Sequence, residues 1–242
     1  MSDTRPRNPL LAAGMKHRIR DMNAKPPLSQ AEKDRLGVIY PGMENIEILN
    51  IYRDLRNKLL RLSEYNNFVC LISSIGQEDE SSLLALNLAA VFAFDRSRSS
   101  IVIDCDTTVE LLDLLTSESA EGRGLIDFIE SDQEDIGELL HDSGIERLRI
   151  VPSGSHTETR TETFESERMR QIIMELKARY PDRYLFINAP SMRLSSEVQI
   201  LSNVSDFVIF QITAGDVTEQ QITEAIEMIG AEKVAGVVLR ET

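Results

Sequence analysis

The distribution of hydrophobic residues along the chain separates a long regular part from an N-terminal part without periodicity. From Phe68 onward, near-continuous apolar runs alternate with segments of helical character. Such runs are typical of strands buried on both faces of a parallel sheet. The alternation therefore predicts an α/β fold, a doubly wound, mostly parallel sheet flanked by helices. The predicted strands are 68–73, 100–104, 148–152, 184–188, 207–212 and 234–239, and the predicted helices lie near 81–95, 109–117, 165–179, 195–203 and 218–230.

The N-terminal part differs in composition from the rest. Residues 1–44 contain five prolines and no sustained hydrophobic period, so we predict a flexible extension followed by one α/β domain over residues 45–242. The first 25 residues hold six Lys or Arg against two Asp. Two interpretations stay open: a solvated tail, or a docking arm for an acidic protein surface or anionic lipid headgroups.

Charge and composition exclude several classes of function. The net charge of −14 argues against nonspecific nucleic-acid binding, which needs clustered Lys and Arg. No apolar run approaches the roughly 20 residues that span a bilayer, and no signal peptide opens the chain, so a cytoplasmic protein is expected. Cys70 and Cys105 lie in strand-like contexts and are predicted to be buried, reduced thiols. The three histidines do not cluster, and we expect no metal site.

The first predicted strand is followed by a polar loop and a helix, the arrangement in which a phosphate-binding P-loop works. Such a loop needs glycines, a lysine for the phosphate charge and a hydroxyl for the metal. Here Ile75 and Glu80 stand at the glycine positions and Ser81 at the lysine position, and only the hydroxyl of Ser82 fits. Residues 78–80 are three successive carboxylates, which suit the N-terminal end of the next helix and would repel a polyphosphate. We therefore expect no bound cofactor, with Mg-ATP as the alternative.

The other strand ends are the remaining candidates, because ligands of doubly wound sheets bind at the carboxyl ends of the strands. Asp104 and Asp106 follow the second strand and can hold Mg²⁺ or polarise a nucleophile. Alternatively, Asp106 caps the helix beginning near Val109, and both interpretations stay open. A metal-binding strand end at 188 requires Asp, whereas Asn188 keeps the shape without the charge. Residues 188–191 and 213–216 end two further strands.

Residues 45–242 resemble, segment by segment, the bacterial tyrosine autokinases of exopolysaccharide loci, particularly the branch found with exosortase systems. These are relatives of the P-loop ATPases that position septa and segregate DNA. The resemblance implies a P-loop-like fold and descent from an ATP-dependent protein-tyrosine kinase. The segments that carry it are 52–56 (YRDLR), 87–90 (NLAA), 101–106 (IVIDCD), 124–129 (GLIDFI), 148–154 (LRIVPSG), 162–169 (ETFESERM), 179–190 (RYPDRYLFINAP) and 235–239 (AGVVL).

The chain departs from that family at Ile75, Glu80, Ser81 and Asn188, and its five tyrosines form no acceptor cluster. The leading hypothesis is a degenerate, catalytically inactive member that is a regulatory or assembly partner in exopolysaccharide biosynthesis and export. The resemblance implies a membrane chain-length or polymerisation protein as its partner, so that the protein lies at the inner face of the cytoplasmic membrane. The alternatives are an active autokinase or ATPase using Ser82 with the two aspartates, and a MinD- or ParA-like positioning protein.

Residues 45–63 carry the period of an amphipathic helix, with Tyr52 on its apolar face. In the family this helix resembles the one through which neighbouring subunits meet. We therefore expect Tyr52, Arg53 and Arg56 to form an interface with a second copy or with an active homologue, Arg53 and Arg56 lying off the buried face. Alternatively, the apolar stripe packs only on its own domain and the basic residues are solvated.

Overall fold

The computed structural model describes residues 26–76, 81–106, 111–116, 124–131, 135–155, 160–179, 181–193 and 195–240. Within these ranges, helices and strands follow one another along the chain. The helices are α1 (Gln30–Leu36), α2 (Ile46–Leu62), α3 (Ser81–Ala93), α4 (Leu111–Thr116), α5 (Leu125–Glu130), α6 (Arg160–Glu165), α7 (Glu167–Arg179), α8 (Glu197–Ser202) and α9 (Glu219–Ile229), with a 3-10 turn at Ile136–Leu139. The strands are β1 (Val69–Ser74), β2 (Ser99–Asp104), β3 (His141–Asp142), β4 (Leu148–Val151), β5 (Arg183–Asn188), β6 (Phe207–Thr213) and β7 (Val234–Arg240).

The seven strands form one sheet in the order β3-β4-β2-β5-β1-β6-β7. All neighbouring strands are parallel except β3, which pairs antiparallel with β4. The register places Asp104 of β2 and Ile72 of β1 on either side of Asn188 of β5. Because β1 and β2 are not neighbours, β5 brings their carboxyl ends together. The predicted doubly wound, mostly parallel sheet is confirmed.

Helices cover both faces of the sheet, because successive residues of a strand point to opposite sides. Cys70 and Ile72 of β1 pack into a core shared with α2, α3 and α4. Val69 and Leu71 of the same strand pack into a second core, shared with α5 to α9. Phe68, just before β1, anchors the first core through edge contacts with other aromatic rings.

Each of the six predicted strands corresponds to an observed strand, and the helix expected near 165–179 corresponds to α7, with the shorter α6 before it. The two helices are separated at Ser166, whose hydroxyl donates to the carbonyl of Thr163 and accepts from the amide of Met169. These bonds end α6 and cap α7, which is how a serine favours a helix start over helix continuation. Elements α1 and β3 and the 3-10 turn were not predicted, since each is too short to establish a hydrophobic period.

Part of the predicted extension is packed on the domain. Ser29 caps α1 through a reciprocal capping box with Glu32. Val38 and Ile39, which follow the helix, are each 1% exposed and lie in the core with α3. Leu28 also packs against the first core, and its amide donates to the carbonyl of Gly144. The packed part of the chain thus begins before the predicted boundary at residue 45.

Among the residues that the structure describes, no helix is long and apolar enough to cross a membrane.

Candidate functional site at the carboxyl ends of the strands

The carboxyl ends of β1, β2 and β5 meet around a buried chain of hydrogen bonds. Asn188 ends β5, and its amide nitrogen donates to Asp104 Oδ1 over 2.8 Å. Its carbonyl oxygen accepts from the hydroxyl of Ser81, 3.0 Å away at the start of α3, and that hydroxyl also lies 3.3 Å from the carbonyl of Ala189. All three side chains are fully buried. The structure therefore brings together three of the residues that the sequence selected.

Asp106 and Ser82 lie beside this chain. The backbone amide of Asp106 donates to Asp104 Oδ1 over 3.1 Å, which places two aspartates at the end of β2. Both Asp106 and Ser82 are at most 2% exposed. Residues 107–110, between Asp106 and the start of α4, lie outside the described residues, so the capping alternative for Asp106 stays a prediction. Within the described ranges, no group of three or more His, Cys, Asp or Glu side chains is arranged to hold a metal ion.

The start of the loop after β1 is tied to neighbouring segments. Ile75, which stands at a glycine position of a P-loop, is 1% exposed and belongs to the second core. The carbonyl of Gly76 accepts from the Ser191 hydroxyl over 2.6 Å. A side chain at Gly76 would meet Asp216, whose carboxylate oxygen lies 1.8 Å from an ideal Cβ position there. Residues 188–191 and 213–216, selected as strand ends, thus lie against this loop.

The remainder of the loop holds three of the predicted carboxylates. The carboxylates Glu78, Asp79 and Glu80, which were expected to repel a polyphosphate, lie outside the described residues. Ser191 and Asp216 were not singled out as individual residues. Their signal was their position after a strand, and their chemistry alone would not have distinguished them from the many other Ser and Asp residues of the chain.

The three predicted interface residues have different surroundings. Arg53 is exposed and contacts Asn50 on its own helix. Arg56 was expected on the exposed side, but its guanidinium is partly buried and donates to the carbonyl of Val91 in α3 over 3.2 Å. Burial lowers the pKa of the Arg56 guanidinium. Tyr52 is half-buried, and burial raises its pKa. Of the three, Arg53 is the one that the surrounding chain leaves available to another molecule.

Asn87 is a structural residue that sequence reasoning missed. Its side chain accepts from the amide of Ile39 and donates to the carbonyl of Gly37, both over 2.9 Å. It also lies 3.4 Å from the hydroxyl of Tyr52. Asn87 thereby fixes the segment after α1 against the helix that follows the P-loop position. The available signal was a lone amide in the otherwise apolar run of α3.

Comparison with known proteins supports the resemblance to the bacterial tyrosine autokinases. No protein-family model matches the chain. It is similar to proteins named tyrosine-protein kinase CpsD, of which two show the range of the match. One, from Streptococcus agalactiae serotype III, is 23% identical over 188 residues, covering 75% of this chain and 78% of the relative. The other, from Streptococcus pneumoniae serotype 4, is 25% identical over 161 residues, covering 66% of this chain and 69% of the relative.

Solved structures show the same fold. The kinase domain of the Escherichia coli tyrosine kinase ETK superposes with a TM-score of 0.74 at 18% identity, covering 90% of this chain and 88% of that one. The chimerical protein CapA2B2 gives 0.71 at 17% identity, covering 88% and 98%. A ParA family ATPase from Chlorobium tepidum gives 0.55 at 16% identity, covering 72% and 74%. The fold is that of the P-loop ATPases, and the expected resemblance to the bacterial tyrosine autokinases is confirmed.

Proposed function

We propose that this protein is a tyrosine-autokinase-like protein that does not transfer phosphate from ATP and instead acts as a regulatory or assembly partner in exopolysaccharide biosynthesis and export. The observation that carries the proposal is the hydrogen-bonded chain Ser81–Asn188–Asp104. A nucleotide site needs a lysine and a metal-holding carboxylate at the first two of these positions. Here they are a serine and an amide that bond to each other.

The residues present do not fit Mg-ATP. Asn188 has no charge to hold a metal, and its amide is already bonded to Asp104. This end of the sheet also carries the carboxylates of Asp104, Asp106 and Asp216. They would repel the phosphates of a nucleotide, because like charges repel strongly where water is excluded. Calorimetric titration of the full chain with Mg-ATP tests this inference, and we expect no saturable binding up to roughly millimolar nucleotide. Saturable binding would overturn it.

The partner that we propose is the membrane chain-length or polymerisation protein of a polysaccharide system. Support comes from the similarity to the CpsD kinases and to the CapA2B2 chimera, together with the basic first 25 residues. The exposed Arg53 and the exposed apolar residues Ile48 and Ile51 of α2 offer a surface for this partner or for an active homologue.

Crosslinking in the native host, followed by purification and identification of the captured membrane protein, tests the partner. We expect Arg53→Glu to reduce its capture. Arg170→Glu, an equally simple reversal of an exposed arginine on α7, should leave capture unchanged. Equal capture by the wild type and Arg53→Glu would remove α2 from the proposed interface.

A second candidate is an active autokinase or ATPase with an atypical site. It is favoured by one observation, the retention of Asp104 and Asp106 as buried carboxylates near Ser82. Transfer of labelled γ-phosphate to the protein's own tyrosines would support this candidate. Such transfer should then be abolished by Asp106→Asn. The MinD- or ParA-like alternative is less favoured, since the ParA family superposition is weaker than those with kinase domains.

A further inference from the structure

A cleft of about 180 Å³ opens at the carboxyl end of the sheet, between α9 and the loop that follows β5. Its floor is formed by Ile75, which follows β1, and by Ala225 of α9, since these residues are 1% and 5% exposed. Met192 and Met228 line the cleft further out. The floor and the sides of the cleft are therefore apolar, and the small side chain of Ala225 leaves the space above the floor open.

Hydrogen bonds hold the walls of this cleft in place. The amide of Met192 donates to the carbonyl of Ser74 over 2.9 Å, and the hydroxyl of Ser191 donates to the carbonyl of Gly76 over 2.6 Å. Ile75 lies between these two acceptors in the chain. A site that is already ordered in this way costs a ligand little further loss of freedom in the protein.

The size of the cleft and its two methionines indicate the class of ligand. Sites for drug-sized ligands measure roughly 300–1,000 Å³, whereas an apolar cavity of about 150 Å³ takes a single benzene molecule. The cleft is therefore large enough for one ring. Thioether sulfurs make favourable contacts with the edges of aromatic rings, so Met192 and Met228 favour an aromatic ring over an aliphatic group.

The mouth of the cleft adds polar groups to these apolar walls. Arg193 is exposed and forms no ion pair within the part of the chain that the structure describes, so its guanidinium is available to lie over a ring face. Gln221 Oε1 accepts from the amide of Thr218, and Glu224 Oε1 accepts from the side chain of Gln220, both over 2.8 Å. The Gln221 amide nitrogen and Glu224 Oε2 remain for a ligand. These groups suit a ring that carries its own O–H or N–H.

We propose that this cleft binds one aromatic side chain, a tyrosine or a tryptophan, of a partner protein. The ring would contact the two methionines above Ile75, and its polar hydrogen would meet the carboxylate of Glu224 at the mouth. Aromatic side chains that fill such pockets commonly anchor protein interfaces. Ile75 is central to the site, because the glycine that a P-loop requires at this position has no side chain to form a floor.

The cleft is separate from the candidate nucleotide site. Ile75 and Ala225 belong to the second core, on one face of the sheet. Asn188 is paired in register with Ile72, which belongs to the first core, on the other face. The test of the cleft uses no nucleotide, so its outcome is independent of whether the protein binds Mg-ATP.

Titration of the full chain with N-acetyl-tryptophanamide and N-acetyl-tyrosinamide tests the site, with ¹³C-methyl methionine as the reporter. We expect both probes to shift the methyl signals of Met192 and Met228 with dissociation constants of roughly 1–10 mM. The signal of Met174, which is 63% exposed on α7, should not move. N-acetyl-leucinamide should bind about fivefold more weakly or worse, since it has no ring. No shift up to about 20 mM probe, or equal binding of the leucine probe, would overturn the proposal.

Substitutions in the cleft give a second measurement. Ala225→Leu fills the space above the floor and should weaken probe binding by about tenfold or more. Ala178→Leu, the same change at an exposed position of α7, is the matched control. Arg193→Gln should weaken binding about twofold to fivefold by removing the cation from the ring face. Met228→Ala leaves the buried floor intact and should also weaken binding, read from the signal of Met192. Circular dichroism checks the fold of each variant, and unchanged binding in Met228→Ala and Arg193→Gln would contradict the proposal.

A final comparison distinguishes the side chain of a partner from a free aromatic compound. The chain contains no tryptophan, so the fluorescence of an added indole group reports its binding directly. A Gly-Gly-Trp-Gly-Gly peptide with blocked ends should bind at least as tightly as indole. Binding of indole without binding of the peptide would show that the mouth does not admit a polypeptide, and the assignment to a partner protein would then be wrong.

Discussion

Asn188 donates a hydrogen bond to Asp104 across 2.8 Å, joining the carboxyl ends of two neighbouring strands. The amide is suited to this position because it carries no charge, donates to the carboxylate and still offers an oxygen to Ser81. A carboxylate in its place could accept from Ser81 but would face Asp104 as a like charge. The contact therefore links the uncharged amide at the end of β5 to the stability of the fold.

Asn188→Asp should destabilise the protein by about 2–4 kcal/mol at neutral pH, because two buried carboxylates would lie in contact. Their proximity and burial raise the pKa of the pair in the folded state above the unfolded value. The folded variant then binds more protons than the unfolded chain, so its stability is greatest at low pH and is lost as pH rises through the raised pKa. Urea unfolding at about pH 5 and about pH 8 should show a larger deficit at the higher pH.

The same change at an exposed site is the control for Asn188→Asp. Asn50→Asp, next to Arg53 on α2, should alter the unfolding free energy by no more than about 0.5 kcal/mol. Equal effects of the two substitutions would mean that the Asn188–Asp104 contact does not stabilise the folded protein.

Ser81→Lys alone should give no ATP turnover and should lower stability by about 1–3 kcal/mol, since it places a long charged chain at a fully buried site and removes the bond to Asn188. With Asn188→Asp added, the total loss should be smaller than the sum of the two single losses, because the new charges are opposite. A double-mutant cycle measures this coupling, and we expect about 1 kcal/mol or more in favour of the pair. Turnover by the single variant would contradict the proposed loss of the nucleotide site.

Asn87→Ala should cost about 1–3 kcal/mol, because it leaves the buried amide of Ile39 and the carbonyl of Gly37 without their partner. Hydrogen exchange at the Ile39 amide should accelerate more than exchange in β1. Asn66→Ala, which removes an exposed side-chain bond to Ser63, should change neither quantity appreciably. Unchanged exchange at Ile39 in Asn87→Ala would show that other contacts hold this segment.

Arg56→Ala and Arg53→Ala should differ although both arginines lie on α2. Arg56 bonds to a carbonyl near the C-terminal end of α3, so its loss should cost about 1–2 kcal/mol. Arg53 is exposed, and its loss should cost less than about 0.5 kcal/mol. Urea unfolding of both variants checks the difference. A larger effect at Arg53 would reverse our assignment of which arginine is structural.

Asp127 should contribute a small, pH-dependent stability. Burial raises its pKa, but hydrogen bonds from Ser155 and from the amide of Gly124 outweigh burial and hold the pKa below its usual value. A depressed pKa stabilises the folded state above the unfolded value and loses that effect as pH falls through the folded value. Asp127→Asn should cost about 0.5 kcal/mol near pH 6, a figure reduced for solvent screening, and less near pH 3. Asp54→Asn on α2 is the control, and a pH-independent difference at Asp127 would contradict the assignment.

Local sequence patterns were enough to predict the order and type of the longer elements. Strands such as β1 and β5 are continuous apolar runs, and α2 has a 3.6-residue period, so local composition was enough to predict them. The sequence also predicts that the chain departs from a nucleotide site at two places, Ser81 in the P-loop position and Asn188 at the end of β5. Short elements such as α1 could not be predicted, since seven residues hold too little periodicity.

Which of these residues act together depends on contacts between distant elements. Ser81 and Asn188 are 107 residues apart and meet because β1 and β5 are neighbours in the sheet. Arg56 appears on the polar side of its helix until α3, 35 residues away, supplies the carbonyl that it binds. The exposure of Val237 and Leu239 likewise follows from strand order, which leaves β7 at an edge. Hydrophobic period reports burial along one element, whereas hydrogen-bond partners and sheet edges are set by contacts between elements.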